Sequence, residues 1–334
     1  METLLTVNDL AVHFTDSRRG IRTRSEALRG IDLHLKREEV HALVGESGSG
    51  KTVTATCIMG LLPSPPGRIS RGRILYKDKN LLTLTEGERR QLRGREIAMI
   101  FQEPARYLNP ALTAGEQIRE MVALHLGLDR RTSAKRALDL LRLAGLEETR
   151  QVYRSYPHEL SGGMKQRAMI AMAISCRPAL LIADEPTTAL DVTLQQQILE
   201  LLLNLKQRLS MGVLFISHDL GVVDAVADHV SVIYAGKIVE SAPRKALFAS
   251  PLHPYTRLLL ASIPDASRRG HRLEAIPGTV PQGEHIPGGC AFHPRCPLAE
   301  EICRREQPAS RGHGKDGHSA ACHMIGKKWL HLSN

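Results

Sequence analysis

The stretch GESGSGKT, residues 45–52, sets glycine, four residues, glycine, lysine and threonine in that order. This spacing suits polyphosphate chemistry. Gly45, Gly48 and Gly50, with Ser47 and Ser49 between them, let backbone N–H groups close around phosphate oxygens, and a helix opening at Lys51 adds its positive dipole end. Lys51 brings charge to the β and γ phosphates, and Thr52 brings a hydroxyl to Mg²⁺. A second stretch, LLIADE at 180–185, finishes an apolar run in two carboxylates. Buried strands seldom end in adjacent acids unless a cation awaits them. Asp184 is placed to hold Mg²⁺ through water, and Glu185 to polarise the water that attacks the γ phosphate. In a third stretch, LSGGMKQR at 160–167, Ser161 stands where an N-cap belongs, and Gly162 and Gly163 leave N–H groups open to an anion. Residues 45–52 already enclose one triphosphate, so this second grip is expected to face the nucleotide of a neighbouring subunit.

The surrounding pattern supplies the elements that hold these stretches. Residues 3–14 and 27–35 alternate like half-buried strands, with the basic polar TDSRRGIRTRSE between them read as a loop. EVHALVG (39–45) reads as a buried strand entering the glycine-rich turn, followed by a helix from Lys51. Helical periodicity marks 115–145, stopping at Gly145, and a helix over 162–176 precedes the strand at 179–185. A helix over 192–208 leads to the strand GVLFISHD, and HVSVIYAGKIVESA predicts a hairpin turning at Ala235 and Gly236. Strands alternating with helices predict an α/β fold on a largely parallel sheet, with a helical insert near 104–160. After residue 250 proline, glycine, histidine and cysteine dominate, which predicts a small appended domain.

Composition bounds the function classes. The 334 residues are 42% hydrophobic and 24% charged, as in soluble globular chains. No secretory signal is visible, so a cytoplasmic location is expected. The most apolar region, 168–183, is broken by Arg177 and Pro178 and falls short of the roughly 20 residues a membrane helix needs. Any membrane crossing therefore falls to a partner. The net charge of +10 suits nucleic acid, anionic lipid or phosphate ligands, but an aromatic content of 4% offers few stacking platforms for single strands.

Taken with further motifs in order, these residues resemble the ATP-binding subunits of ABC transporters, whose signature is similar to LSGGMKQR. The resemblance spans roughly residues 1–330. It implies a P-loop nucleotide-binding domain with a RecA-like core, an antiparallel β subdomain and an inserted helical subdomain, followed by a small cysteine-containing extension. The domains it implies are 1–250 and 251–334. It also implies that two cassettes sandwich two ATP molecules, each between one P-loop and the other subunit's signature helix. Ser161, Gly162, Gly163, Gln166 and Asp191 then contact the partner's nucleotide. Gln102 of IFQEP senses Mg²⁺ and attacking water, and His218 of FISHD contacts the γ phosphate, although a structural histidine is the alternative at 218. Phe14 either stacks on adenine or belongs to strand core. YPHELSGGMKQR, ADEPTTALDVT, LNP and PLHPYT are similar to the dipeptide and oligopeptide import branch. The implied partners are a second ATPase subunit, a paralogue, two membrane permeases and an extracytoplasmic binding protein, with the chain peripheral on the cytoplasmic face of the inner membrane. Three positions depart from the family pattern: Glu38 where glycine is usual, a longer and more basic Ser17–Glu26 segment, and Tyr107 at a typically small site.

Cys290, Cys296, Cys303 and Cys322 fall together, whereas Cys57 and Cys176 are read as buried bystanders on helices. Intervals of five, six and eighteen residues are not the paired knuckles of structural zinc. The pattern resembles one found in some peptide-transporter ATPases that carry a [4Fe–4S] cluster; zinc and unliganded thiols stay open, and His293 and His323 are spare ligand candidates expected at the surface. Importers of nickel chelates or sugars remain alternatives to a peptide importer. A soluble ABC ATPase acting on nucleic acid usually carries two cassettes or a long coiled-coil insertion. Here there is one P-loop and an insert of about 55 residues. No nucleic-acid partner is expected.

Overall fold

The computed structural model describes residues 2–18, 21–188, 190–263, 276–314 and 317–326. Strands β1 (Thr3–Arg18), β2 (Ile21–Lys36) and β3 (Val40–Val44) precede helix α1 (Lys51–Ile58). Next come β4 (Gly67–Tyr76), β5 (Lys79–Asn80), α2 (Glu86–Leu92) and β6 (Ile97–Ile100). Helices α3 (Pro104–Tyr107), α4 (Ala114–Leu126), α5 (Arg130–Leu143) and α6 (Thr149–Arg154) fill the expected insert before α7 (Gly162–Ala173). After them β7 (Leu180–Asp184), α8 (Val192–Leu209), β8 (Gly212–Ser217) and α9 (Leu220–Val226) alternate. The hairpin β9 (His229–Tyr234) and β10 (Lys237–Pro243) leads to α10 (Arg244–Ala249), α11 (Pro254–Ala261), α12 (Glu301–Arg305), β11 (Arg311–His313) and β12 (His318–Ala320).

The chain divides into two compact units, one of residues 1–4, 35–40 and 76–216, the other of 5–34, 41–75 and 217–334. In the first, β6, β7 and β8 are parallel neighbours, with Ile97 opposite Leu180 and Leu180 opposite Gly212. All their residues up to Ile216 are buried, which is why IAMI, LLIAD and GVLFI read as near-continuous apolar runs. The helical insert is built on amphipathic spacing: α5 buries Ser133, Ala137, Leu140 and Leu141 along one stripe. Its ends are fixed by side chains, since Thr113 caps α4 by accepting from the Glu116 N–H, and Asp129 caps α5 by accepting from Arg131 and Thr132.

In the second unit β2, β1 and β4 lie side by side in that order. The parallel pair β3–β9 sets His41 opposite His229 and Val44 opposite Val232. The β9–β10 hairpin turns at Ala235 and Gly236 with φ of 44° and 76°, as the sequence predicts. Beyond residue 250 the chain returns to this sheet: β12 pairs antiparallel with β10, Glu240 opposite Ala320, and β11 pairs with β12. The buried Glu240 carboxylate anchors that return by accepting from His318 Nε2 at 2.8 Å and from the Leu252 and His253 amides at 2.7 and 2.9 Å.

Two sequence expectations need correcting. Of the segment expected as a loop, residues 15–18 and 21–26 are strand, because β1 runs to Arg18 and β2 starts at Ile21, while residues 19 and 20 lie outside the described residues. Backbone pairing extends these strands where apolar alternation gives no sign, as when the Thr15 N–H donates to Pro66 O at 2.9 Å. Cys176 lies in the turn after α7 rather than on a helix, because the chain reverses through Arg177 at φ 54° into Pro178. Cys57 does lie buried in α1. Glu38 adopts φ 58°, the left-handed conformation that the usual glycine takes freely.

Candidate functional site: a phosphate loop and a carboxylate edge

The fully buried strand β3 delivers the chain into residues 45–50, where Gly48 and Gly50 take φ of 78° and 111°. A β-carbon at Gly45 would stand 2.3 Å from Ile233 O, so only glycine allows this approach. Gly50 is the N-cap of α1 and provides no capping side chain, so the positive end of the helix dipole faces the loop. Lys51 is buried, with Nζ donating to Gly45 O at 2.7 Å and to Glu46 O at 3.1 Å. Thr52 is exposed, and the Ser49 hydroxyl is buried with no hydrogen-bond partner among the described residues. An ammonium, a helix N-terminus and an unsatisfied hydroxyl on a glycine loop form a cradle suited to a polyphosphate. Phe14 in β1 is half-buried, its ring edge 3.0 Å from where a Gly67 β-carbon would sit. His218 is exposed in the turn after Ser217, and the next residue, Asp219, caps α9 by accepting from Gly221 and Val222.

The first unit holds the acidic edge. Asp184 closes β7 and is buried. Glu185 leaves the strand at φ 47°, with its N–H donating to Ile216 O at 2.9 Å. Its Oε2 accepts from Gln102 Nε2 at 2.9 Å and from the Thr188 hydroxyl at 3.0 Å. Residues 83 apart in sequence meet here because β6 and β7 are adjacent parallel strands whose C-terminal ends emerge together. Sequence reading supplied Gln102 and Glu185 but not Thr188.

The LSGG stretch behaves as its capping pattern predicts. Ser161 caps α7 by accepting from the Met164 N–H at 3.3 Å, and Ser161 and Gly162 are exposed. No heavy atom lies within 4 Å of a β-carbon built on Gly162, whereas one on Gly163 would meet Leu194 Cδ2 at 2.7 Å. Asp191 is exposed and caps α8 through the Leu194 N–H at 2.9 Å. Gln166 departs from expectation. It is 2% exposed, and its Nε2 donates to Pro186 O at 2.6 Å, so it faces the chain's own interior and not a partner.

The extension also reaches the phosphate loop, a contact no motif signalled. The Tyr255 hydroxyl accepts from the Glu46 N–H at 2.9 Å, and Arg295 grips the Glu46 carboxylate with both terminal nitrogens at 2.9 Å. The Gln282 amide nitrogen lies against Gly48, 2.1 Å from where a β-carbon would stand.

Around the extension's four cysteines, every one of the six thiol pairs is within electrostatic reach. Backbone N–H groups approach three of the sulfurs: Phe292 and His293 that of Cys290, Leu298 that of Cys296, and Met324 that of Cys322. Burial pushes the Cys296 thiol up to about 12 and that of Cys322 to about 11. Among the described residues no three His, Cys, Asp or Glu side chains lie close enough to hold a single metal ion. His293 bonds through Nδ1 to Cys290 O at 2.9 Å, and His323 through Nε2 to Glu306 O at 3.0 Å.

Comparison with known proteins places this geometry. The family profile described as ABC transporter matches residues 28–188, and that described as oligopeptide/dipeptide transporter, C-terminal region, matches 239–303. The oligopeptide transport ATP-binding protein AppD of Bacillus subtilis (strain 168) is 48% identical over 324 residues, covering 97% of each chain. The dipeptide transport ATP-binding protein DppD of Escherichia coli (strain K12) is 47% identical over 320 residues, covering 96% of each. Among solved structures, the dimeric ATP-binding cassette MJ0796 in a post-hydrolysis state with ADP and Pi matches at a TM-score of 0.62 and 25% identity, over 72% of this chain and 99% of that one. With a glycine cradle, paired carboxylates and 48% identity over nearly the whole chain in agreement, the chain belongs to the ATP-binding proteins of the oligopeptide/dipeptide class of ABC transporters.

Proposed function

We propose that the chain is the ATP-hydrolysing subunit that powers import of di- or oligopeptides across the cytoplasmic membrane. The observation that carries the catalytic part is the Gln102–Glu185 pair, a carboxylate held at 2.9 Å by an amide at the ends of two parallel strands. Glu185 polarises the attacking water and Gln102 orients it. Backbone amides of Gly45, Ser47, Gly48, Ser49 and Gly50 cradle the phosphates, Lys51 neutralises the β and γ oxygens, and His218 contacts the γ phosphate. Thr52, Asp184 and Gln102 would hold Mg²⁺, which when bound screens charge on the β and γ phosphates. Phe14 stacks on adenine. Ser161, Gly162, Gly163 and Asp191 complete the nucleotide site of the paired subunit, so ATP favours the closed pair and hydrolysis releases it.

The peptide cargo is supported by the names of the relatives and by the match of residues 239–303 to the oligopeptide/dipeptide C-terminal region. In this reading residues 1–250, with a helical insert at 104–160, form the nucleotide-binding domain and 251–334 the extension. The chain docks at the cytoplasmic face of the inner membrane on two permeases, pairs with a paralogous ATPase, receives cargo through an extracytoplasmic binding protein, and has no nucleic-acid partner. No helix among the described residues is long and apolar enough to cross a membrane.

Cys290, Cys296, Cys303 and Cys322 hold a [4Fe–4S] cluster in this proposal. Mutual reach in all six pairs and N–H groups directed at three sulfurs suit four thiolates around one cluster. A bound cluster would supply cross-linking and one-electron chemistry.

Two measurements test the reading. Glu185→Gln should lower phosphate release by about 10²–10⁴-fold while nucleotide binding persists, and reconstituted transporter should take up peptides only with ATP. Uptake of a nickel chelate or sugar in place of peptide, or recovery of RNA in place of permeases from solubilised membranes, refutes it. For the cysteines, anaerobically purified protein should carry four iron atoms and absorb visible light; a colourless, iron-free and equally stable protein removes the cluster.

A further inference from the structure

The strongest contact between the extension and the phosphate loop is made by Arg295. This side chain is 6% exposed, and each of its five N–H donors has a partner. Nε donates to Pro277 O at 2.7 Å. Nη1 donates to Glu46 Oε1 at 2.9 Å and to the Tyr234 hydroxyl at 3.3 Å, and Nη2 to Glu46 Oε2 at 2.9 Å and Gly278 O at 3.4 Å. Aromatic rings shield the fork: the guanidinium carbon lies 5.7 Å from the Tyr234 ring centre and 6.0 Å from that of Phe292. A planar, fully donated fork fixes a carboxylate in orientation as well as position.

Its target is the phosphate loop itself. Glu46 is the first variable residue of GESGSGKT, and both its backbone and its carboxylate are held by residues after 250. Gln282 rests on Gly48, two residues on. Arg295 stands one residue before Cys296, and Phe292 two residues after Cys290. The stretch 290–296 thus contributes both to the thiol group and to the clamp on the loop.

We propose that Arg295 is a positioning residue of the nucleotide site: acting through Glu46, it links the phosphate loop to the cysteine-bearing 290–296 stretch, so that nucleotide binding at one tightens the other. The inference rests on the reading of residues 45–52 as the phosphate site. Linkage is reciprocal. If the clamp holds the loop ready for phosphate, bound nucleotide must strengthen the clamp by the same factor.

The test is amide hydrogen exchange and ATP affinity of the purified full chain, compared with Glu46→Gln, Arg295→Gln and Arg295→Lys. In the natural chain ATP–Mg should slow exchange at both 46–52 and 290–296. Glu46→Gln should weaken ATP binding by about three- to tenfold and, at saturating ATP, keep the slowing at 46–52 while losing it at 290–296. Arg295→Gln should do the same and Arg295→Lys should restore part of the effect. A merely structural contact would leave the response at 290–296 intact. Should Arg295→Gln fail to fold, Glu46→Gln decides. Slowing at 46–52 without slowing at 290–296 in the natural chain, or unaltered ATP affinity in folded Glu46→Gln, overturns the linkage alone. No slowing at 46–52 in the natural chain overturns the phosphate-site reading.

Discussion

Gly162→Ala separates what the LSGG stretch does for its own chain from what it does for a neighbour. A β-carbon on Gly162 meets nothing within 4 Å, and its φ is not in the left-handed region. Gly162 is the first residue of α7, so replacing glycine by alanine should leave the isolated chain as stable or add up to about 1 kcal/mol. Gly163→Ala is the control, because its β-carbon would stand 2.7 Å from Leu194 Cδ2, an overpacking that costs about 1–3 kcal/mol. The open space at Gly162 is, in the proposed pairing, where the partner's phosphate rests. A methyl there displaces one or two charge-assisted hydrogen bonds worth about 1.5–3 kcal/mol each. One such bond corresponds to about a 10- to 150-fold loss of hydrolysis in the assembled transporter. Thermal unfolding of the isolated chain and phosphate release by the reconstituted complex would be measured side by side. Unchanged stability with full-rate hydrolysis refutes the claim that the exposed end of α7 serves a second nucleotide.

Three other outcomes follow from single residues. Glu38→Gly should stabilise the chain by about 0.5–1 kcal/mol, the left-handed penalty at φ 58° less the entropy glycine gives the unfolded state, read from the urea midpoint. His41 and His253 are fully buried, and burial pushes both from the usual 6.5 down to about 3. The folded chain refuses protons that the unfolded chain takes up below pH 6.5. Stability is therefore complete above that pH and falls by about 1.4 kcal/mol per unit for each histidine as pH drops towards 3; a midpoint constant between pH 7 and 5 contradicts this. Gln166→Leu should destabilise by about 1–3 kcal/mol by leaving Pro186 O without its donor, and an unchanged denaturation midpoint in the variant would refute a buried role for Gln166.

The two glycine-rich turns were legible because their geometry is local: glycine turn and helix follow one another within a few residues, and each helix start is set by its own neighbours. Gln102 and Glu185 were legible as residues but not as a pair by spacing, since their meeting depends on β6 lying beside β7. Gln166 was misread because the signature as a whole suggests a partner-facing surface. Gly163, Gln166, Ile170 and Ala173 are all buried at spacings of three and four, a stripe that already sets position 166 on the inner face. The strand extensions at 15–18 and 21–26 were hidden by polar composition, because ladder hydrogen bonds need no apolar side chains. Arg295 lay between two cysteines of the noted pattern, which says nothing of an arginine, in a stretch without periodicity. Its contact with Glu46, 249 residues away, is a product of tertiary folding alone.

Correcting Gln166 changes how the first unit is understood. Glu185 occupies a left-handed backbone conformation that costs a non-glycine residue about 1–2 kcal/mol, so something must hold it there. Its N–H is tied to Ile216 O, and Gln166 holds the carbonyl of the next residue, Pro186, at 2.6 Å. Gln166 lies five residues from Ser161 along α7, about 7.5 Å of helix rise. The same helix therefore presents its exposed N-terminus at Ser161 and Gly162 and, one and a half turns on, grips the loop that carries the strained carboxylate. One short stretch of α7 therefore carries both the Ser161 cap at its exposed end and the buried hydrogen bond that helps hold the turn in which Glu185 sits.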